Sequence, residues 1–247
     1  MTIPVDMNLA LDPGLYIPGQ KPRVPVEIDP DIFPKTVYAN LFNSTTDING
    51  YPGSLQSAGT FEHGNLVTDG TGKGFDFGTT STDKLWPEYG PFTYFARAKM
   101  LSTPGAATEW VLFINSPNVS AANYISVYVR SNGTAFAVRG YVSGTYITVE
   151  SSAYVHDAGT YYNFMLTREG AGNCYLYVDG SADTPVVDAD RIYSRHGTHL
   201  HTLAAESDGD DPGEFEIEAF VITHEYTPPA IARMLANDPY QFARVLG

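Results

Sequence analysis

The chain has 247 residues, 14 Lys plus Arg against 28 Asp plus Glu, and a formal net charge of −14 at pH 7. With 43% hydrophobic and only 17% charged residues it can bury a large core, which excludes a disordered polyelectrolyte. Affinity for phosphate backbones and anionic lipid comes from clustered Lys and Arg, so nucleic acid and membrane surfaces are set aside as partners.

Composition favours strands and turns over helices, with 17 Tyr, 13 Phe, 23 Gly and 17 Pro. The first residues carry neither a basic stretch nor a long apolar run, so no export signal is expected and synthesis is expected in the cytoplasm. Residues 1–35 read as an extended Pro-rich N-terminal arm, because prolines from Pro4 to Pro34 recur too often for a helix or central strand. The apolar residues between them (Leu9, Leu11, Leu15, Ile17, Val24, Val26 and Ile28 among others) are poorly solvated alone. They suit an assembly arm, laid on its own domain or on a neighbouring subunit.

Residues 36–247 read as one β-sandwich domain. Short runs of period-two alternation predict strands at 124–130, 145–150, 160–167, 174–178 and 214–221. Tyr162, Phe164 and Leu166 oppose Tyr161, Asn163 and Met165; Cys174, Leu176 and Val178 oppose Tyr175 and Tyr177. Asp179-Gly180 then supplies a hairpin turn. In the last run Phe215, Ile217, Ala219 and Val221 oppose Glu214, Glu216 and Glu218. A terminal helix is expected next, capped by Thr227, with Pro228 and Pro229 in its first turn and Ile231, Met234 and Leu235 on one face. A second short turn is expected from Pro239 through Val245. The single cysteine, Cys174, excludes an internal disulfide and reads as a buried thiol. Together these features predict two antiparallel sheets packed face to face.

Several segments also match a known pattern in the expected order. Residues Gly159 to Arg168 followed by Asn173 to Gly180 resemble the core hairpin of laminin-G-like domains, whose second strand ends in Leu-Tyr-Val-Asp-Gly. Phe92 to Ala98 resembles an earlier strand of that family, and Phe215 to Ile222 with Ala230-Ile231-Ala232 its closing strand and helix. The family's hairpin Trp is Tyr161 or Tyr162 here, and Ala230 stands where an acidic residue is usual. The resemblance implies a concanavalin A-like jelly roll, of the lectin and glucanase superfamily, with a short C-terminal helix. Members mostly bind glycans or proteins, often with calcium at one edge, and a minority hydrolyse polysaccharides.

The sequence offers candidate residues for four chemistries. Hydrolysis needs two carboxylates about 5 Å apart. Glu214, Glu216 and Glu218 share a strand face, but they fall short of the glucanase pattern and read as a solvated acidic face. Calcium needs several converging oxygens, for which Asp208, Asp210 and Asp211 in the 206–213 loop are the candidates. His196, His199 and His201 are close enough for zinc, yet no carboxylate completes a motif. Glycan stacking has ring candidates in Tyr124, Tyr128, Tyr146, Tyr175 and Tyr177, with Asn123, Asn163 and Asn173 as hydroxyl partners.

No catalytic constellation is expected. The first expectation is a virion structural or decoration protein of a tailed phage, contacting capsid or tail subunits as a homo-oligomer and gripping surface glycans. A carbohydrate-binding module is the alternative, and a jelly-roll polysaccharide hydrolase a further one.

Overall fold

In a strand, successive side chains face opposite ways, so alternation decides which residues meet inside a sandwich and which lie on its outer faces. The computed structural model describes residues 26–42, 53–77, 90–105, 109–116, 125–130, 135–140, 146–150, 157–170, 173–182, 186–187, 200–205 and 209–245. The first strands are short: β1 (Val26–Ile28), β2 (Thr36–Asn40), β3 (Ser54–Leu55), β4 (Gly59–Glu62), β5 (Asn65–Thr68) and β6 (Phe75–Asp76). Longer ones follow: β7 (Phe92–Met100), β8 (Glu109–Ser116), β9 (Ile125–Arg130), β10 (Ala135–Gly140), β11 (Tyr146–Glu150), β12 (Tyr161–Arg168) and β13 (Asn173–Val178). The chain ends with β14 (Ser181–Ala182), β15 (Val186–Val187), β16 (Leu200–Leu203), β17 (Phe215–Thr223), the helix α1 (Pro229–Asn237) and β18 (Ala243–Val245).

These strands form two antiparallel sheets, so the protein is an all-β sandwich with a short C-terminal helix. The front sheet has nine strands, ordered β14-β13-β12-β7-β17-β5-β4, with β15 also beside β13 and β2 beside β17. The back sheet has seven, ordered β11-β10-β9-β8-β16-β6-β3. A two-stranded ribbon pairs β1 with β18.

The expected alternation holds in β12 and β13. Tyr162, Phe164, Leu166, Cys174, Leu176 and Val178 all belong to the core between the sheets. Tyr94 from β7 stacks on Phe113 from β8 (centroids 5.1 Å apart, 10° between planes), and Phe113 meets Phe220 at 5.2 Å. Each such side chain contributes roughly 1.5–3 kcal/mol on full burial.

Strand β17 departs from the sequence reading. Its register on β7 slips between Ile217 and Ala219, a bulge at Glu218. Phe215 and Ile217 face the core as expected, but beyond the bulge it is Phe220 and Ile222 that do so. Ala219 and Val221 face outward into a second apolar cluster. One extra residue in a period-two strand inverts everything after it.

That second cluster covers the middle of the front sheet's outer face. Phe95, Met165, Tyr177 and Val221 from the sheet meet Ile32, Phe33, Leu235, Tyr240 and Phe242. Phe33, Phe95 and Phe242 form a triangle of rings with centroids 5.5–5.6 Å apart. Residues 26–34, read from sequence as the end of the arm, therefore pack on this chain's own sandwich. Val26 and Ile28 lie in β1, paired with Val245 and Ala243. Leu9, Leu11, Leu15, Ile17 and Val24 lie outside the described residues.

The C-terminal segment corrects two expectations. Thr227 does not cap α1; the cap is Pro228, with no side-chain cap bond. The Thr227 N–H instead donates to Thr93 Oγ1 (3.0 Å) and Thr167 Oγ1 (3.1 Å), which tethers the approach to the helix onto the sheet. The second turn does form from Pro239 to Phe242, with the Gln241 N–H donating to the Asp238 carbonyl (3.2 Å) and the Ala243 N–H to that of Tyr240 (2.9 Å), but it stops short of Val245, which lies in β18 paired with Val26.

The Asp179-Gly180 hairpin turn forms as expected, with φ of 45° and 75°. Two successive positive φ values define the type I′ geometry. A Cβ at Gly180 would come within 2.8 Å of Arg233 Cα, so the glycine also sets how closely α1 docks. Gly180→Ala is therefore expected to destabilise by about 2 kcal/mol or more, lowering Tm by roughly 4–8 °C. Thermal denaturation with an unchanged Tm would contradict this docking geometry.

Candidate functional site

Pairing of β17, β7 and β12 lays the outward residues of the front sheet in cross-strand rows. Val221, Phe95 and Met165 form an apolar row, followed by Ala219, Arg97 and Asn163, and then by Glu216, Lys99 and Tyr161. The apolar row lies under the second cluster, and the charged rows lie beyond it.

These charged rows make a closed polar clamp. Lys99 Nζ meets Glu216 Oε2 at 2.5 Å, and Arg97 Nε meets Glu218 Oε2 at 2.6 Å. The four side chains are only 15–21% exposed, so truncating one partner would strand a poorly solvated charge. Tyr161 donates its hydroxyl to Glu216 (2.6 Å), which also accepts Asn65 Nδ2 (2.6 Å). Arg97 and Lys99 lie over the Tyr161 ring at 5.0 and 4.7 Å from its centroid. Tyr240 donates to Glu218, bringing the C-terminal segment onto the clamp. Asp179 accepts the Asn163 N–H (2.8 Å) and side-chain amide (3.2 Å), which joins the hairpin turn to the same rows.

Burial pushes the Glu216 carboxyl up, but hydrogen bonds from Lys99, Tyr161 and Asn65 outweigh it and leave the pKa below the usual carboxylate value. Burial also raises the Tyr161 and Tyr240 phenols, reinforced by the neighbouring glutamates. Asp179 moves up, since burial exceeds the help it gets from Asn163 and Arg97. The acidic strand read as solvated is thus a neutralised, half-buried network. Its signal was present in the sequence: Arg97 and Lys99 two residues apart on one strand match Glu216 and Glu218 two apart on another.

Beside the clamp, β13 turns tyrosines outward at the edge of the sheet. Tyr175 is half-buried and stacks on the buried Tyr177 (centroids 5.9 Å, 23° between planes). Tyr226, which leads into α1, tilts against Tyr175 at 6.3 Å and is also half-buried. The Tyr226 hydroxyl bonds the Glu169 carboxylate. Asn173 donates its amide to the Tyr175 hydroxyl (3.3 Å). The exposed Arg233 of α1 is close enough to act on the Tyr177 phenol. Burial, followed by the neighbouring Tyr175, pushes that phenol up to about 12.

Other sequence candidates fall elsewhere. Tyr128 and Tyr146 lie on β9 and β11 of the back sheet, whereas Tyr175 and Tyr177 belong to the front sheet. Tyr128 is only 6% exposed, and Tyr124 lies outside the described residues. Asn163 is consumed by Asp179, Arg97 and the Leu235 carbonyl. Asp210 and Asp211 are exposed, while Asp208, His196 and His199 lie outside the described residues. Among the described residues no three His, Cys, Asp or Glu converge to hold a metal. Tyr226, Glu169 and Arg233 were missed, for they reach the patch from three separate segments.

No protein-family model matches the chain, and no relative is found among curated proteins. Solved structures do match. The receptor binding domain of botulinum neurotoxin C/D mosaic serotype aligns with a TM-score of 0.62 at 12% identity, covering 82% of this chain and 51% of that one. Trypanosoma rangeli sialidase in complex with sialic acid gives 0.62 at 13% identity, covering 84% of this chain and 33% of that one. The binding domain of Paraclostridial Mosquitocidal Protein 1 gives 0.60 at 10% identity, covering 84% and 53%. The chain spans about half of the toxin chains and a third of the sialidase. At such identities the likeness is one of fold alone, a β-sandwich.

The clamp has a pH signature. Glu216 holds its proton less tightly folded than unfolded, so its contribution is full above the ordinary value of 4.5 and is lost as pH falls through the lower folded value. Asp179, raised by burial, acts with the opposite sign, which makes the difference curve the informative one. Subtracting the unfolding free energy of Glu216→Gln from that of the natural chain should leave a term that shrinks on acidification. A flat difference curve would mean that Glu216 is not held ionised.

Proposed function

We propose that this protein is a non-catalytic, glycan-binding module of the lectin-like sandwich class, which acts through the tyrosine patch at the β13 edge. The observation that carries this reading is the pair of half-buried rings, Tyr175 and Tyr226, flanked by hydrogen-bonding groups. Aromatic faces suit the C–H faces of pyranose rings, and amide and carboxylate groups suit their hydroxyls. Within the clamp, a Glu216 held ionised by Lys99 has no proton to donate, so it does not fit the general-acid role of a hydrolase. Glycan arrays on the intact chain are expected to give hits that Tyr175→Ala or Tyr226→Ala each weakens about tenfold, the equivalent of roughly 1.4 kcal/mol of ring contact. No reducing sugar should appear on prolonged incubation. Binding that survives both substitutions would remove the patch from the reading.

A second reading, compatible with the first, is an assembly role in a tailed-phage virion, the setting in which laminin-G-like sandwiches with such arms are met. It is favoured by the anchoring of Phe33 between Phe95 and Phe242 and by the pairing of β1 with β18. Residues 1–25 therefore lead into a firmly held strand, a suitable base for an arm that reaches a neighbouring copy. Light scattering is expected to find an oligomer that dissociates when residues 1–25 are removed. A monomer at high concentration would overturn it.

A further inference from the structure

We infer that the tyrosine patch takes a neutral pyranose and discriminates against acidic saccharides, with the Glu169 carboxylate as the acceptor for a pair of adjacent sugar hydroxyls. This rests on the glycan-binding reading and specifies its ligand class. The rings supply stacking for any hexose, so selectivity falls to the charged groups at their rim. Glu169 and Arg233 approach the cluster from different elements: just past β12, the Glu169 N–H donates to the Asn173 carbonyl at the start of β13 (3.0 Å), and Arg233 of α1 packs against Gly180 in the turn that follows β13. Their environments differ. Glu169 is half-buried and engaged with the Tyr226 hydroxyl, whereas Arg233 is exposed.

An ionised ligand would need Arg233 as its counter-ion, and an exposed pair of that kind gains only about 0–1 kcal/mol. It would also lie against Glu169, which is less screened, and would approach a chain of net charge −14. Repulsion therefore outweighs attraction for a carboxylated or sulfated sugar. For a neutral sugar the same groups work together. A carboxylate has four lone-pair sites, so beyond the Tyr226 hydroxyl it can accept two neighbouring hydroxyl protons. The Asn173 amide and the Arg233 fork remain as donors to sugar oxygens. Tyr177 beneath Tyr175 keeps the stacking ring in place, so little conformational entropy is lost on binding.

The test is calorimetry on the full chain with neutral oligosaccharides and with the same oligosaccharides capped by sialic or uronic acid. The natural chain should bind the neutral set at least tenfold more tightly than the capped set. Glu169→Ala should abolish most of the neutral binding with Tm unchanged. Glu169→Gln, which keeps an acceptor and loses the charge, should narrow the gap between the two sets about tenfold. Arg233→Ala should weaken neutral binding only a few-fold. Equal or tighter binding of capped sugars, or dependence on Arg233 but not on Glu169, would overturn the inference and leave glycan binding standing. Silence toward both sets would instead bring down the glycan-binding reading itself.

Discussion

The one-residue bulge at Glu218 is the constraint on which the rest of this structure depends. Strand β17 lies between β7 on one side and β5 and β2 on the other, at the middle of the front sheet. Without the bulge, strict alternation would turn Ala219 and Val221 inward and Phe220 and Ile222 outward. With it, Phe220 reaches the stack of Tyr94 and Phe113 between the sheets, and the small Ala219 lies beneath the C-terminal segment. Ala219 thereby joins the outer face that ordinary alternation already gives to Glu216 and Glu218. Each glutamate meets a cation of β7.

A single slip in pairing thus separates three environments on one strand. The core between the sheets takes the large rings, the second cluster takes the covering helix and the N-terminal segment, and the clamp takes the charges. These are mutually dependent. Tyr240 belongs to the second cluster by burial and to the clamp through its bond to Glu218. Asn163 likewise ties the hairpin turn, the clamp and the Leu235 carbonyl of α1. Partial disruption of such a network is more costly than its absence, since the groups left behind stay buried.

What could be read from the sequence follows the range of the interactions involved. Period-two alternation in β12 and β13 and the Asp179-Gly180 turn are local, and both were legible. The inversion within β17 was not, because alternation alone cannot say where a strand gains a residue. Thr227 looked like a cap by type and position, yet its N–H was claimed by two threonines more than fifty residues away in sequence. The acidic face looked solvated because each glutamate was read without the strand beside it. Tyr175 and Tyr177 were legible as outward rings, whereas their partners Glu169, Tyr226 and Arg233 come together only through tertiary packing. Tyr128 was misjudged for a related reason: its alternation is correct, but an outward-facing residue is not thereby exposed.

The clamp and the tyrosine patch occupy one sheet face but differ in the groups they leave for a ligand. In the clamp, donors and acceptors are matched internally, so the charges stabilise the frame and offer little to a visitor. At the β13 edge Tyr175 and Tyr226 meet each other at 6.3 Å and are only half-buried, so part of their surface is left outside the packed frame. A rigid frame beneath partly covered rings is the arrangement that lowers the entropic cost of binding. Gly180 serves both regions, because its lack of a side chain lets Arg233 draw in beside the turn that Asp179 anchors to the clamp. On the proposed reading, the buried charges of β7 and β17 therefore act on recognition indirectly, by holding the sheet and α1 in the relation that assembles the patch.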